Sequence, residues 1–467
     1  MYDFSKLTIG IAPTRRDRFP PKAGAQAVKA KMMPRLHAIF EKLGVETVDI
    51  DSINDEGLLY DNSDIPAIEK LFRDKGVDAL FFPHANFGQE EAVAKLAARF
   101  NLPVLLWGPH DEHPPAKGTA PSRQTDIQCG MFATSKAFQR YGTKFTYIEN
   151  CWLDSPILDR EIESFVRVAS VVKAFRGMRI LQLSTRPRQF LSVKINESEL
   201  LEKFGIEVTP IESGEIVTTV NEVKANNPEG IKKLLAEWKE TYEFDAPSME
   251  AAENLAAAEL AIIALATKYD CSVVSGECWS LFRTHFGVRT CFLWGDLINK
   301  GLPVACENDV HGCISQIILS AVARGASPTF LADLTIRHPS NDNAELLWHC
   351  GPFPVALAKE GAKKEVDNAN GAWEIKGGDV TLGRFDSIGS DYLLFADECK
   401  GVDGPWTNGN YLWVEVDDWI KWEKKLMYGP YIHHIVGVHG NYKKEIEEAC
   451  VYLGGVEYDN ADKPCKR

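Results

Sequence analysis

Apolar runs and stretches of helical period take turns along the first third of the chain. LTIGIA (7–12), VETVDI (45–50), VDALFFP (77–83) and LPVLLW (102–107) read as strands, and the segments 25–43, 65–74 and 89–100 between them read as helices. Strand and helix in regular succession predict βαβ units and a parallel sheet covered on both faces. A second cycle opens at Met178 with MRILQLS (178–184). It continues through a helix over 197–204, the strand IEVTPI (206–211), helices over 228–240 and 248–269, and the strand CSVVSGECW (271–279). The openings of the two halves rhyme: EKLGVETVDI (41–50) and EKFGIEVTPI (202–211) each end a helix on a glycine and turn into a strand.

The stretch 302–333 carries the sharpest chemical signal. An apolar run over 302–306 ends at Glu307, a helix follows with Val310, Ile314, Ile317, Ile318, Ala321 and Val322 on one side, and a second apolar run over 328–332 ends at Asp333. Read as parallel strands joined by a crossover helix, the unit puts both carboxylates on the edge where open α/β sheets bind ligands. Asp309 fits a helix cap. After about residue 334 the pattern changes to short alternating segments such as 372–385, 391–398, 411–416 and 431–440, punctuated by glycine, which predicts antiparallel strands.

The fold class is therefore α/β: two parallel-sheet, Rossmann-like doubly wound domains over 1–170 and 171–333, followed by a smaller β-rich, barrel-like domain over 334–467. A length of 467 residues suits about three domains of ~150 residues. A net charge of −14 disfavours nucleic acid as a partner, because affinity for phosphate backbones comes from clustered Lys and Arg. No run approaches the ~18 apolar residues of a membrane span, and no export signal is visible, so the expected place is the cytoplasm. The eleven cysteines form no CxxC pair and read as buried thiols of a reducing compartment.

Candidate ligands add to the two carboxylates. In 431–439 His434 shares a face with Ile432, Val436 and Val438, while His433 points the other way. His349 ends the run LLWH before a turn. Glu277 and Trp279 lie at the end of the run 271–279, and Asn86, Phe87, Trp107 and His110 lie at or just after the ends of strands of the first domain, where loops would line a pocket. Arg15, Arg16, Arg186 and Arg188 follow the first strand of each half and suit an anionic group. Carboxylates with imidazoles fit Mn²⁺ better than a structural zinc site. Dinucleotide, Walker A, serine-elbow and HExxH motifs are all absent.

CENDV (306–310), FLAD (330–333), GPYIHH (429–434) and WHCG (348–351) together resemble the L-fucose isomerase and L-arabinose isomerase superfamily, in its shorter fucose-isomerase-like branch. The resemblance implies an aldose–ketose isomerase working through a cis-enediol. It implies Mn²⁺, or Mg²⁺ or Co²⁺, held by Glu307, Asp333, His434 and His349, with Glu307 and Asp333 doubling as acid and base. Arg16, Asn86, Phe87, Trp107, Glu277 and Trp279 would contact the sugar. It also implies a homo-oligomer, trimer or hexamer, in which a neighbouring subunit completes the pocket. Two alternatives stand beside this reading: an isomerase of an acidic, sulfonated or phosphorylated sugar, and a sugar-binding protein without chemistry.

Overall fold

The computed structural model describes residues 3–18, 22–112 and 125–465. It forms two compact units, Ser5–Lys173 and a larger one from Ala174 onward. The smaller unit is a five-stranded parallel sheet of β1 (Thr8–Ile11), β2 (Glu46–Asp49), β3 (Ala79–Pro83), β4 (Val104–Trp107) and β5 (Thr146–Tyr147), in the order β2-β1-β3-β4-β5. Both faces are covered. Ile9, Ile11 and Phe81 pack on one side with Leu36 and Phe40, and Leu80 and Phe82 pack on the other with Ile68 and Phe72.

The larger unit begins with β6 (Arg179–Leu183) and β7 (Glu207–Ile211). A short β8 (Glu243–Asp245) leaves for a side sheet, and β9 (Val273–Ser275) and β10 (Val304–Ala305) complete the parallel order β10-β9-β6-β7. The rhyme between the two halves is structural: Gly44 and Gly205 both take left-handed φ values, 66° and 69°, and each delivers the next strand beside the first of its sheet.

The chain then crosses the helix Val310–Ala323 and enters a different sheet. Strands β11 (Thr329–His338) and β12 (Asn341–His349) start it. After β13 (Glu365–Asp367) and β14 (Asn370–Ala372), which join β8, it resumes with β15 (Gly378–Ile388), β16 (Asp391–Val402), β17 (Asn410–Glu415) and β18 (His434–His439). The order β15-β18-β11-β12-β17-β16 closes on itself through β15–β16, giving a six-stranded antiparallel barrel, and β19 (Val456–Asp459) adds in parallel to β16. This corrects one expectation. The run that ends at Asp333 is not a parallel partner of β10; it opens the barrel, pairing antiparallel with β12 and β18, and it passes without a break through the boundary placed after residue 333. Asp333 therefore sits in mid-strand.

Within the barrel Glu345 is 4 % exposed and one of its carboxyl oxygens has no hydrogen-bond partner. Burial, with Glu423 adding and Arg337 opposing, pushes its pKa up to about 7. A raised folded-state pKa means stability that is full below the unfolded value of about 4.4 and lost as pH rises through 7. Glu345→Gln is expected to melt with the wild type at pH 4.5 and above it at pH 8, by up to about 3 kcal/mol. Thermal melts across that range check the sign.

Candidate metal and substrate site

Glu307 follows β10 in an unusual backbone. It and Asn308 are both left-handed, at φ 62° and 55°, a conformation that costs about 1–3 kcal/mol per non-glycine residue and concentrates at functional sites. The surrounding strands hold it there: Asn308 donates its backbone N–H to Gly276 O (2.9 Å) and its Nδ2–H to Leu183 O (3.0 Å), tying together the ends of β9 and β6. Trp279 Nε1–H donates to Glu307 Oε1 at 2.8 Å.

The barrel supplies the other side. Asp333 on β11 and His434 on β18 are register partners. The Nε2 of His434 lies 3.2 Å from Glu307 Oε2 and 3.5 Å from Asp333 Oδ1, yet neither Nε2 nor Oδ1 makes a well-angled hydrogen bond. The other ring nitrogen is committed, since Nδ1–H donates to Asp309 Oδ2 at 2.9 Å. Asp309 is itself fully buried, caps the following helix through Gly312 N (2.9 Å), and pairs with the buried Arg384. Burial works against the Asp309 carboxylate, but Arg384 and His434 hold it well below the usual carboxylate range. A carboxylate locked in its charged form thus fixes the tautomer of His434 and turns the Nε2 lone pair toward Glu307 and Asp333.

These groups fit a cation. Nitrogen and oxygen atoms of Glu307, His433 and His434, and those of Asp333, His349 and His434, each fall within 4.8 Å of one another. Burial opposes a charge on His434, but Asp309 and Glu307 outweigh it and push the imidazole pKa up to about 9. Glu307 is likewise drawn down despite its burial, by His434 and His349. The electrostatics call for positive charge at the Nε2 position, which a proton or a divalent ion supplies. His434 is the inward imidazole and 1 % exposed, whereas His433 lies outside with Nε2 3.9 Å from Asp333. His349, at the end of β12 and 3 % exposed, accepts the Cys350 N–H at Nδ1 (3.0 Å), so its Nε2 carries the proton in the neutral ring. To bind a cation through either nitrogen it must give up that bond.

Other expected contacts resolve differently. Glu277 is 2 % exposed and engages both oxygens with the backbone N–H groups of Trp279, Ser280 and Leu281, capping the helix Leu281–Phe286. Trp279 is 40 % exposed and steers Glu307. In the smaller unit Trp107 is a fully buried core residue, and Arg15 is buried in a two-pronged pair with Glu56. The Oδ1 of Asn86 is occupied by the N–H groups of Arg16 and Gly88, so Asn86 braces the loop. The Arg16 guanidinium lies 4.2 Å from the centre of the Phe87 ring and 3.6 Å from Glu90. The contribution of Asp309 to orienting His434 went beyond the cap read from sequence, and Arg384 carried no signal apart from being a charge in an alternating apolar run.

Residues 10–176 match the family described as Fucose/sulfoquinovose isomerase, N-terminal domain. A sulfoquinovose isomerase of Alkalicoccus urumqiensis is 24 % identical over 385 residues, covering 79 % of this chain and 83 % of that protein. One from Priestia aryabhattai is 23 % identical, covering 80 % and 83 %, and one from Clostridium sp. (strain MSTE9) is 23 % identical, covering 62 % of each. The chain is similar to the fucose/sulfoquinovose isomerase family, in residues 10–176 by the family match and over about four-fifths of its length by the first two relatives. The similarity to the first two relatives spans more than the matched N-terminal domain. No helix among the described residues is long and apolar enough to cross a membrane.

Proposed function

We propose that the chain interconverts an anionic aldose and its ketose through a cis-enediol, at the site formed by Glu307, Asp333 and His434. The observation that carries this reading is the His434 Nε2, oriented by Asp309 toward the Glu307 and Asp333 carboxylates, with Asp333 Oδ1 left without a hydrogen bond. Relatives named for sulfoquinovose, a sulfonated aldohexose, support the anionic substrate class.

Glu307, Asp333 and His434 would hold a divalent cation, Mn²⁺ first and Mg²⁺ or Co²⁺ as alternatives, with His349 joining only after losing its bond to Cys350. Bound there, such an ion polarises the sugar's carbonyl and adjacent hydroxyl and so acidifies the neighbouring C–H. Glu307, oriented by Trp279, moves the proton between C1 and C2, and Asp333 handles the hydroxyl proton. A homo-oligomer whose neighbour completes the pocket, and a cytoplasmic location, belong to the same proposed reading.

A screen of sulfonated and neutral aldoses for ketose formation tests it. Conversion with added Mn²⁺, its loss after EDTA and its return with Mn²⁺ are expected; no ketose from any aldose would end the proposal. Asp309→Asn is expected to weaken Mn²⁺ binding by about 10- to 100-fold, the usual effect of losing a carboxylate behind a ligating histidine, as read by calorimetric titration of the metal-free protein.

A further inference from the structure

A cleft of about 370 Å³ opens beside the site, lined among others by Gln182, Thr185, Arg188, Lys194 and Asn308. It lies beyond the carboxyl end of β6. There the strand order changes direction, with β7 on one side of β6 and β9 on the other, the place where open α/β sheets receive ligands. The loop that forms one wall is braced from within: the Arg186 guanidinium donates to the carbonyls of Pro187 (3.0 Å), Arg188 (3.2 Å) and Phe190 (3.2 Å). Phe190 in turn packs against Trp279 and His434, with ring centres 5.1 and 6.4 Å away, so the cleft wall and the Glu307 site share one loop.

Arg186 is spent on this brace, but Arg188 and Lys194 are exposed and form no ion pair among the described residues, although Glu197 lies in the same wall. Asn308 is 2 % exposed, and its Oδ1 has no partner. On a chain of net charge −14, which repels anions at long range, two uncommitted cations in a cleft next to the reacting groups are the local charge that an anionic sugar needs.

We propose that Arg188 and Lys194 bind the oxyanion at the non-reacting end of the aldose, while Asn308 Oδ1 accepts a hydroxyl between that end and Glu307. This rests on the isomerase reading above and assigns its selectivity. Arg186 is a positioning residue for the loop.

The test is the double variant Arg188→Gln/Lys194→Gln, assayed on a 6-sulfonated aldohexose, its 6-phosphate counterpart and the unsubstituted sugar. The ratio of kcat/KM for the sulfonated over the unsubstituted sugar is expected to fall about a hundredfold, roughly tenfold for each charge-assisted contact. A ratio left unchanged overturns the proposal, and so does a wild type that shows no preference for either anionic sugar. Preference for the phosphate over the sulfonate would identify the bound oxyanion as a phosphate. Should the wild type convert no aldose, the isomerase reading fails on its own, and the cleft is judged by titration with ethanesulfonate. Saturable binding lost in the double variant upholds the anion site, and no binding by the wild type removes it.

Discussion

Glu307→Gln is expected to lower kcat by about 10²- to 10⁴-fold, the usual contribution of a general acid–base group, with the melting temperature little changed. The amide keeps the shape and can still accept the Trp279 N–H, so the left-handed turn at 307–308 has no new reason to unfold. What it loses is the charge beside His434 and the ability to shuttle a proton. Turnover within about threefold of wild type in a folded variant would remove Glu307 from the acid–base role, since loss of that role costs at least ~10²-fold.

Arg384→Met is expected to destabilise the protein by about 3–5 kcal/mol, because a buried ion network loses its only guanidinium and keeps its carboxylates. Arg384 is 1 % exposed and bonded to Asp309 and, at 2.9 Å, to Asp386, whose other oxygen takes His311 Nδ1 at 3.0 Å. In the wild type burial acts against both acids, but Arg384 outweighs it and keeps both below their ordinary pKa values. Depressed carboxylates contribute stability that is present above the unfolded pKa of about 3.9 and is lost as pH falls. The variant lacks that contribution, so its deficit is expected to hold from pH 7.5 down to about 4 and to narrow only below that. Urea midpoints at pH 7.5, 4.5 and 3 measure it, and a deficit below about 1 kcal/mol at pH 7.5 would mean the network holds little. Activity is expected to fall as well, through the loss of Asp309's hold on His434.

Much of the architecture could be read from local pattern. The helices Ile65–Asp74 and Glu197–Phe204 match the periodicity to the residue, and the alternation of elements gave both parallel sheets. The passage from sheet to barrel was not legible. TFLA at the head of β11 is buried at every position and carries no alternation, and such a run reads the same in a parallel sheet as in a barrel wall packed on both sides. At the candidate site, Glu307 follows a strand end and His434 sits on the alternating face read from the sequence, whereas Asp333, read as a strand end, comes beside them from the middle of β11. Glu277 and Asn86 could not be resolved from sequence, because a carboxylate or amide after a strand looks the same whether it meets a ligand or, as here, the loop's own N–H groups. The support behind His434 joins positions 309, 384 and 434, three segments whose proximity only the closed sheet determines.

That closure also decides which half of the pocket can adapt. Asp333 and His434 are neighbours in a ring of strands with no free edge between them, so neither can shift without dragging the whole hoop of ladder bonds along. Glu307, Trp279 and Phe190 hang instead on turns beyond the parallel sheet. Variation in sugar preference has room on these turns, while the hoop serves as a fixed anvil against which any new substrate must be shaped.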